Sequence, residues 1–149
     1  MKQLAKQVRT RVIMAAQAEA QRRGDRRLST EHLLLGVLHE PPAVAALGID
    51  LDAARAGLDA LDRAALSAIG INTDFQPGTV PAATKRPPLT TAARATLLRA
   101  IRPAPRSKVN HPTAEQFVLA ILANDRPDPA ADLLAHLGVE VDAVRSRLS

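Results

Sequence analysis

The chain has 149 residues, no Cys, Trp or Tyr, and only two aromatic residues, Phe75 and Phe117. That length suits one compact domain, or two small halves sharing an aliphatic core, and the missing residue types exclude thiol nucleophiles, cysteine-ligated zinc, disulfide scaffolds and aromatic base-stacking platforms. Twenty Lys and Arg against fifteen Asp and Glu leave a net charge of +5, a modest basic balance that raises nucleic acid or an acidic protein surface as a partner.

Lys2 and Lys6 are followed by Arg9 and Arg11, so no continuous apolar run opens the chain. This reads as neither a signal peptide nor a membrane span, and the expectation is a cytoplasmic protein. From Leu4 to Arg23 the spacing of Leu4, Val8, Val12 and Ala15/Ala16 predicts a helix, with Gly24 as its stop. Ser29 or Thr30 caps a helix to about Leu38, which Pro41-Pro42 ends. A short helical turn runs through Leu47 to Gly48. Asp50 or Asp52 then caps a helix through about Ile69, with Leu51, Ala54, Leu58 and Leu61 on one face. Between Gly70 and Pro88 lie Pro77, Gly78, Pro81 and Pro87 and few large apolar residues, which is linker chemistry. Beyond it, Thr90 caps a helix to about Arg102, terminated by Pro103 and Pro105. Thr113 caps Glu115 to Ala123, Pro129 to Leu137 is a third helix, and Val141, Val144 and Leu148 mark a fourth. No run alternates with period two, so the expectation is an all-α fold of about eight helices.

The two halves repeat each other. Leu-Gly-Ile-Asp-Leu-Asp-Ala-Ala-Arg at 47–55 matches Leu-Gly-Val-Glu-Val-Asp-Ala-Val-Arg at 137–145. Thr-Glu-His-Leu-Leu-Leu-Gly-Val-Leu at 30–38 matches Ala-Glu-Gln-Phe-Val-Leu-Ala-Ile-Leu at 114–122. The offsets are 90 residues (47 to 137) and 84 (31 to 115), so the second copy carries six more residues between its blocks. Two blocks in the same order mark a tandem duplication. Copy one spans 1–69, the linker 70–88 and copy two 89–149. Neither copy is large enough to bury its faces alone, so the two should pack about a pseudo-twofold axis into one compact domain with two related sites.

These blocks resemble the Clp N-terminal repeat. Thr30-Glu31-His32-Leu33-Leu34-Leu35-Gly36 is similar to that family's Thr-Glu-His-x-Leu-Leu-Gly block, and the Leu-Gly-x-x-x-Asp-Ala-x-Arg blocks are similar to its last helix. The resemblance covers nearly the whole chain and is closest to the N-terminal domain of the ClpC branch of AAA+ unfoldases. It implies two four-helix repeats without catalytic activity or cofactor, binding degron-bearing substrates or adaptors for a Clp unfoldase and its protease. No G-x-x-x-x-G-K-[ST] phosphate loop exists here, so this chain would act as an adaptor, a decoy or a recognition domain.

In ClpC-like domains the repeat's glutamate grips the guanidinium of phosphoarginine, a degradation mark. By resemblance Glu31 and Glu115 take that place, and a carboxylate can hold a guanidinium through two charge-assisted hydrogen bonds. Thr90 and Thr91 open the helix that the family sets beside the glutamate, and Lys6 could stand in for a phosphate cation in copy one. The family's phenylalanine-threonine pair reads Ala5-Lys6 and Leu89-Thr90 here, and its arginine reads Val8 and Ala92. The surface that binds cyclic peptide antibiotics in relatives reads Lys2, Arg86 and Leu89, which predicts weakened affinity.

Rival readings are weaker. A first-turn glutamate stabilises a helix through its dipole by ~0.3–1 kcal/mol, which accounts for Glu31 and Glu115 without a ligand. His32 reads as a packing or capping residue, since Gln116 replaces it in copy two. On one helix His32 and His39 would stand about 10.5 Å apart, too far for one metal ion. Arg22-Arg23-Gly24-Asp25-Arg26-Arg27 reads as a solvated helix end, echoed by Arg99, Arg102, Arg106 and Lys108. Two such patches make a basic helical nucleic-acid binder the alternative function. Without a Gly-x-Ser-x-Gly elbow or a glycine-rich phosphate loop, no enzyme reading stands out.

Overall fold

The computed structural model describes residues 2–71, 87–101 and 112–148, with side chains from residue 8 onward. Most of the 70–88 linker, together with Arg102, Pro103, Pro105, Arg106 and Lys108, lies outside the described residues. Eight helices are described, α1 (Lys2–Arg22), α2 (Thr30–Val37), α3 (Pro41–Leu47), α4 (Leu51–Ala68), α5 (Thr91–Ile101), α6 (Ala114–Leu122), α7 (Pro129–His136) and α8 (Val141–Leu148). None is long and apolar enough to cross a membrane.

The boundaries follow from local chemistry. Gly24 has φ 72° and stops α1, and Gly48 has φ 71° and stops α3. Both are left-handed conformations that cost other residues their Cβ clearance. Asp50 caps α4 by accepting the Ala53 N–H at 2.8 Å. Thr90 accepts from Ala93 at 3.1 Å, and Thr113 from Gln116 at 3.2 Å. Pro41-Pro42 does more than end α2. The pair opens α3 at its first two positions, where a missing N–H costs nothing.

α2 and α6 are the equivalent central helices. Seven of the eight α2 residues are buried, as are Ala114, Phe117, Val118, Ala120, Ile121 and Leu122 of α6. The two helices pack on each other, and the copies interlock reciprocally: α7 of copy two lies on α2, while α3 of copy one lies on α6. α4 meets α7, and α3 meets α8, in the same exchange. One core therefore serves both copies, drawing on Val12, Leu34, Ala43 and Leu58 from the first and Phe117, Ile121, Leu133 and Val144 from the second. A second tie is backbone. Leu28 donates to the Pro88 carbonyl at 2.8 Å, and its own carbonyl accepts from Thr90 at 2.9 Å, a single parallel bridge between Leu28 and Leu89.

Ion pairs hold α1 in place. The Glu19 side chain is 3% exposed and accepts from Arg55 of α4, with His39 at 3.2 Å. Arg11 pairs with Glu40, the residue that precedes α3, at 2.6 Å. Arg23 corrects the reading of 22–27 as a solvated helix end. Its side chain is 6% exposed and pairs with Asp59, Asp62 and Asp25. Three carboxylates make burial of that guanidinium tolerable, and they come from α4 and the α1–α2 turn. Arg26 and Arg27 do lie exposed.

Candidate functional site at the start of α2

Ser29 precedes α2 in an extended conformation, which presents the first turn of the helix to its neighbours. His32 Nδ1 accepts the Ser29 N–H at 2.9 Å, so the ring proton resides on Nε2, which donates to Asp25 at 2.7 Å. The ring is 1% exposed. This is the capping role expected of it, and Gln116 does the same for Thr113 in copy two at 2.8 Å.

Thr30 has a role that sequence reasoning missed. It is fully buried, and its hydroxyl donates to Asp128 Oδ2 at 2.9 Å while accepting from Ala130 N at 3.2 Å. Asp128 also accepts from Ala130 and Ala131. The starts of α2 and α7 are thereby tied across the two copies. The one available signal was that copy two has Ala114 at this place.

Glu31 stands beside this tie. Its side chain is 14% exposed, and Oε1 lies 3.5 Å from His32 Nδ1. Both atoms are acceptors, so no hydrogen bond forms there. Oε2 is buried and has no hydrogen-bond partner. An unmet carboxylate oxygen at a buried position is costly, and a donor from outside would relieve it.

Two cavities meet at this carboxylate. The larger, about 700 Å³, lies between α4 and α7, with Leu58, Leu61, Ala65 and Pro129 as apolar wall and Asp62 and Asp132 at its rim. Arg126 also lines it and pairs with Asp132 at 2.8 Å. The smaller, about 380 Å³, lies under the α1–α2 turn and is lined by Arg26, Arg27, Ser29 and His32 among others. Asp62 borders both cavities. Burial pushes its carboxyl above the usual aspartate range, an effect Arg23 only partly offsets. Burial opposes the charge on Arg23 as well, but Asp59, Asp62 and Asp25 outweigh it and hold the group protonated.

The other sequence-predicted residues are placed differently. Glu115 is half-buried in the first turn of α6 and borders neither of these cavities. Thr90 is the cap of α5, and its backbone joins Leu28, in the segment leading to Glu31. Thr91 is exposed at the first position of α5, and Leu89 is 36% exposed. Lys2 and Lys6 fall in the first turns of α1, but their side chains lie outside the described residues, as does all of Arg86.

Residues 6–128 match the family profile of the Clp repeat (R) N-terminal domain. The chain belongs to this family. The match runs from α1 to Asp128 at the start of α7, so it takes in the whole Glu31 site except the far wall on α7. Among solved structures, the chain is similar to the N-terminal domain of the caseinolytic protease associated chaperone ClpD from Arabidopsis thaliana. The TM-score is 0.67 at 20% identity, over 95% of this chain and 89% of that one. At that identity the likeness is one of fold: an all-helical double repeat. Within this Clp repeat domain Glu31 and Glu115 are equivalent in sequence, yet they differ in surroundings. Of the two, Glu31 borders the two cavities described above and Glu115 borders neither.

Proposed function

We propose that this Clp repeat domain is a non-catalytic recognition module. It takes up degron-bearing segments, arginine-phosphorylated ones among them, and so serves a Clp unfoldase-protease or its adaptors as a substrate reader or decoy. The observation that carries this reading is Glu31, which borders both cavities and has one carboxylate oxygen, Oε2, buried without a hydrogen-bond partner. A guanidinium supplies two parallel N–H donors and a positive charge, which is what that carboxylate lacks. The apolar wall from Leu58 to Ala65 suits the side chains flanking such an arginine. Thr90 and Thr91 at the start of α5, and Lys6 in α1, are proposed flanking contacts. Glu115 is proposed as the weaker of the two equivalent positions. Lys2, Arg86 and Leu89 are proposed as a surface of reduced affinity for cyclic peptides.

The test is a calorimetric titration with a phosphoarginine peptide, with the unmodified peptide alongside. Glu31→Gln keeps the volume and removes the charge. Loss of a charge-assisted bidentate contact should weaken binding by about tenfold or more, whereas Glu115→Gln should change it less. Equal binding by the parent chain and Glu31→Gln would remove Glu31 from the site.

A further inference from the structure

His32 is the one buried histidine among the described residues, and each of its ring nitrogens stands near a carboxylate. The two nitrogens are used unequally. Nε2–H donates to Asp25 Oδ2 at 2.7 Å. Nδ1 gives its lone pair to the Ser29 N–H at 2.9 Å and meets Glu31 Oε1, at 3.5 Å, only as a second acceptor. A second proton on this ring has one place to go, Nδ1. There it would confront the Ser29 N–H, donor against donor. Glu31 Oε1 is the acceptor beside it, and a movement of under about 1 Å closes that distance to hydrogen-bond length.

The charged groups around the ring come from three sides. Arg23 and Asp25 follow α1, Arg26 and Arg27 line the same cavity from the α1–α2 turn, and Asp62 comes from α4. Asp25 and Asp62 pair with Arg23. Among the described residues α5, α6 and α7 lend none to this cavity. On α7, Asp128 bonds Thr30, and His136 lines the larger cavity with Glu31. Copy two has the same cap without the proton. There Gln116 Oε1 accepts the Thr113 N–H at 2.8 Å, and an amide does not titrate in this range. We propose that His32 places Glu31 under proton control: when the ring takes its second proton, Nδ1–H leaves Ser29 for Glu31 Oε1. That move occupies and neutralises the carboxylate and frees the Ser29 N–H ahead of α2. Acid and a cationic ligand then compete for one carboxylate, and by linkage each weakens the other. The effect on binding rests on the recognition role given above; the movement of the proton does not.

The experiment follows the whole chain by nitrogen-15 NMR from about pH 8 to about pH 5, the span over which histidine changes charge. At the upper end His32 Nδ1 should be bare and the Ser29 amide protected from exchange. At the lower end Nδ1 should carry a proton, and Ser29 protection should fall by about tenfold or more relative to Thr113, the matching amide of copy two. His32→Gln copies the arrangement of copy two and should hold the ratio constant. A ring that stays neutral to pH 5, or that gains its proton with the Ser29 amide still protected, would overturn the proposal. A second arm titrates the unmodified arginine peptide at both ends of the range. Binding should weaken about tenfold or more in acid for the parent chain and for His136→Gln, but not for His32→Gln. Acid sensitivity that survives in His32→Gln, or disappears in His136→Gln, would take control of Glu31 away from His32. A chain whose ring and cap respond as described but which binds neither the arginine nor the phosphoarginine peptide would refute the recognition role and uphold the proton movement.

Discussion

At Gly36 the backbones of α1 and α2 approach closely, and replacing it with alanine tests how tightly the first copy is packed. A Cβ there would stand 2.6 Å from the Val12 carbonyl oxygen and 2.9 Å from the Ala16 nitrogen. Ordinary contact begins at 3.4 Å, a shortfall of 0.8 Å (3.4 less 2.6). Both obstacles are backbone atoms of α1, so no side-chain rotation relieves them and the two helices must part. Overpacking of this kind costs about 1–3 kcal/mol, and rigid obstacles place Gly36→Ala near the top of that span. Against it, alanine is favoured over glycine inside a helix by about 1 kcal/mol. The net expectation is a loss of about 2 kcal/mol, or a fall in Tm of about 4–8 °C for a chain of this size. Without Trp or Tyr, the assay is urea or thermal unfolding followed by far-ultraviolet circular dichroism. Copy two supplies the control. It has the buried Ala120 at the equivalent place, where a methyl already fits. Ala120→Gly should also destabilise, by about 1 kcal/mol or more from helix propensity and the lost methyl contacts. A Gly36→Ala chain as stable as its parent would refute the close-approach reasoning.

Two further outcomes are expected from the buried polar groups. Thr30→Val keeps the shape but removes the hydroxyl shared by Asp128 and Ala130, and should cost about 1–3 kcal/mol in the same unfolding assay; a neutral result would mean the tie between the copies is energetically idle. For Glu19, burial acts to raise the carboxyl pKa, but hydrogen bonds and charge from Arg55 and His39 overcome it and leave the group below the ordinary glutamate range. A carboxylate depressed on folding stabilises the fold above its unfolded value, about 4.3, and that contribution is lost as the pH falls through the folded value. Thermal melts below about pH 4 should therefore decline more gently for Glu19→Gln than for the parent chain, and parallel slopes would exclude Glu19 as a source of the acid sensitivity.

The described helices were legible because their signals are local. A cap, a stop glycine and an apolar stripe act within a few residues, and Ser29, Asp50, Thr90 and Thr113 all sit where the backbone needs an acceptor or an extended entry. The duplication was legible for a related reason: two copies face the same packing demand and keep the same residue types in the same order. The family followed from those blocks, three of which lie within the 6–128 match, the 137–145 block falling beyond it.

What the sequence by itself determined, then, was the all-helical class, the repeat, the helix boundaries and the two equivalent glutamates. Tertiary structure decided how those equivalents differ. Arg23 sits in a run that reads as solvated, and it is buried because α4, some 36 residues on, brings Asp59 and Asp62 to it. Gly36 looks like any helical glycine until α1 crosses it. Thr30 meets Asp128 only because α7 of one copy lies on α2 of the other. Glu31 faces a cavity for the same reason, since α4 and α7 come from different copies and make its walls together. Each of these contacts joins residues far apart in the chain. No local pattern encodes such a meeting, because burial, close approach and an unmet carboxylate are properties of the packed pair of repeats.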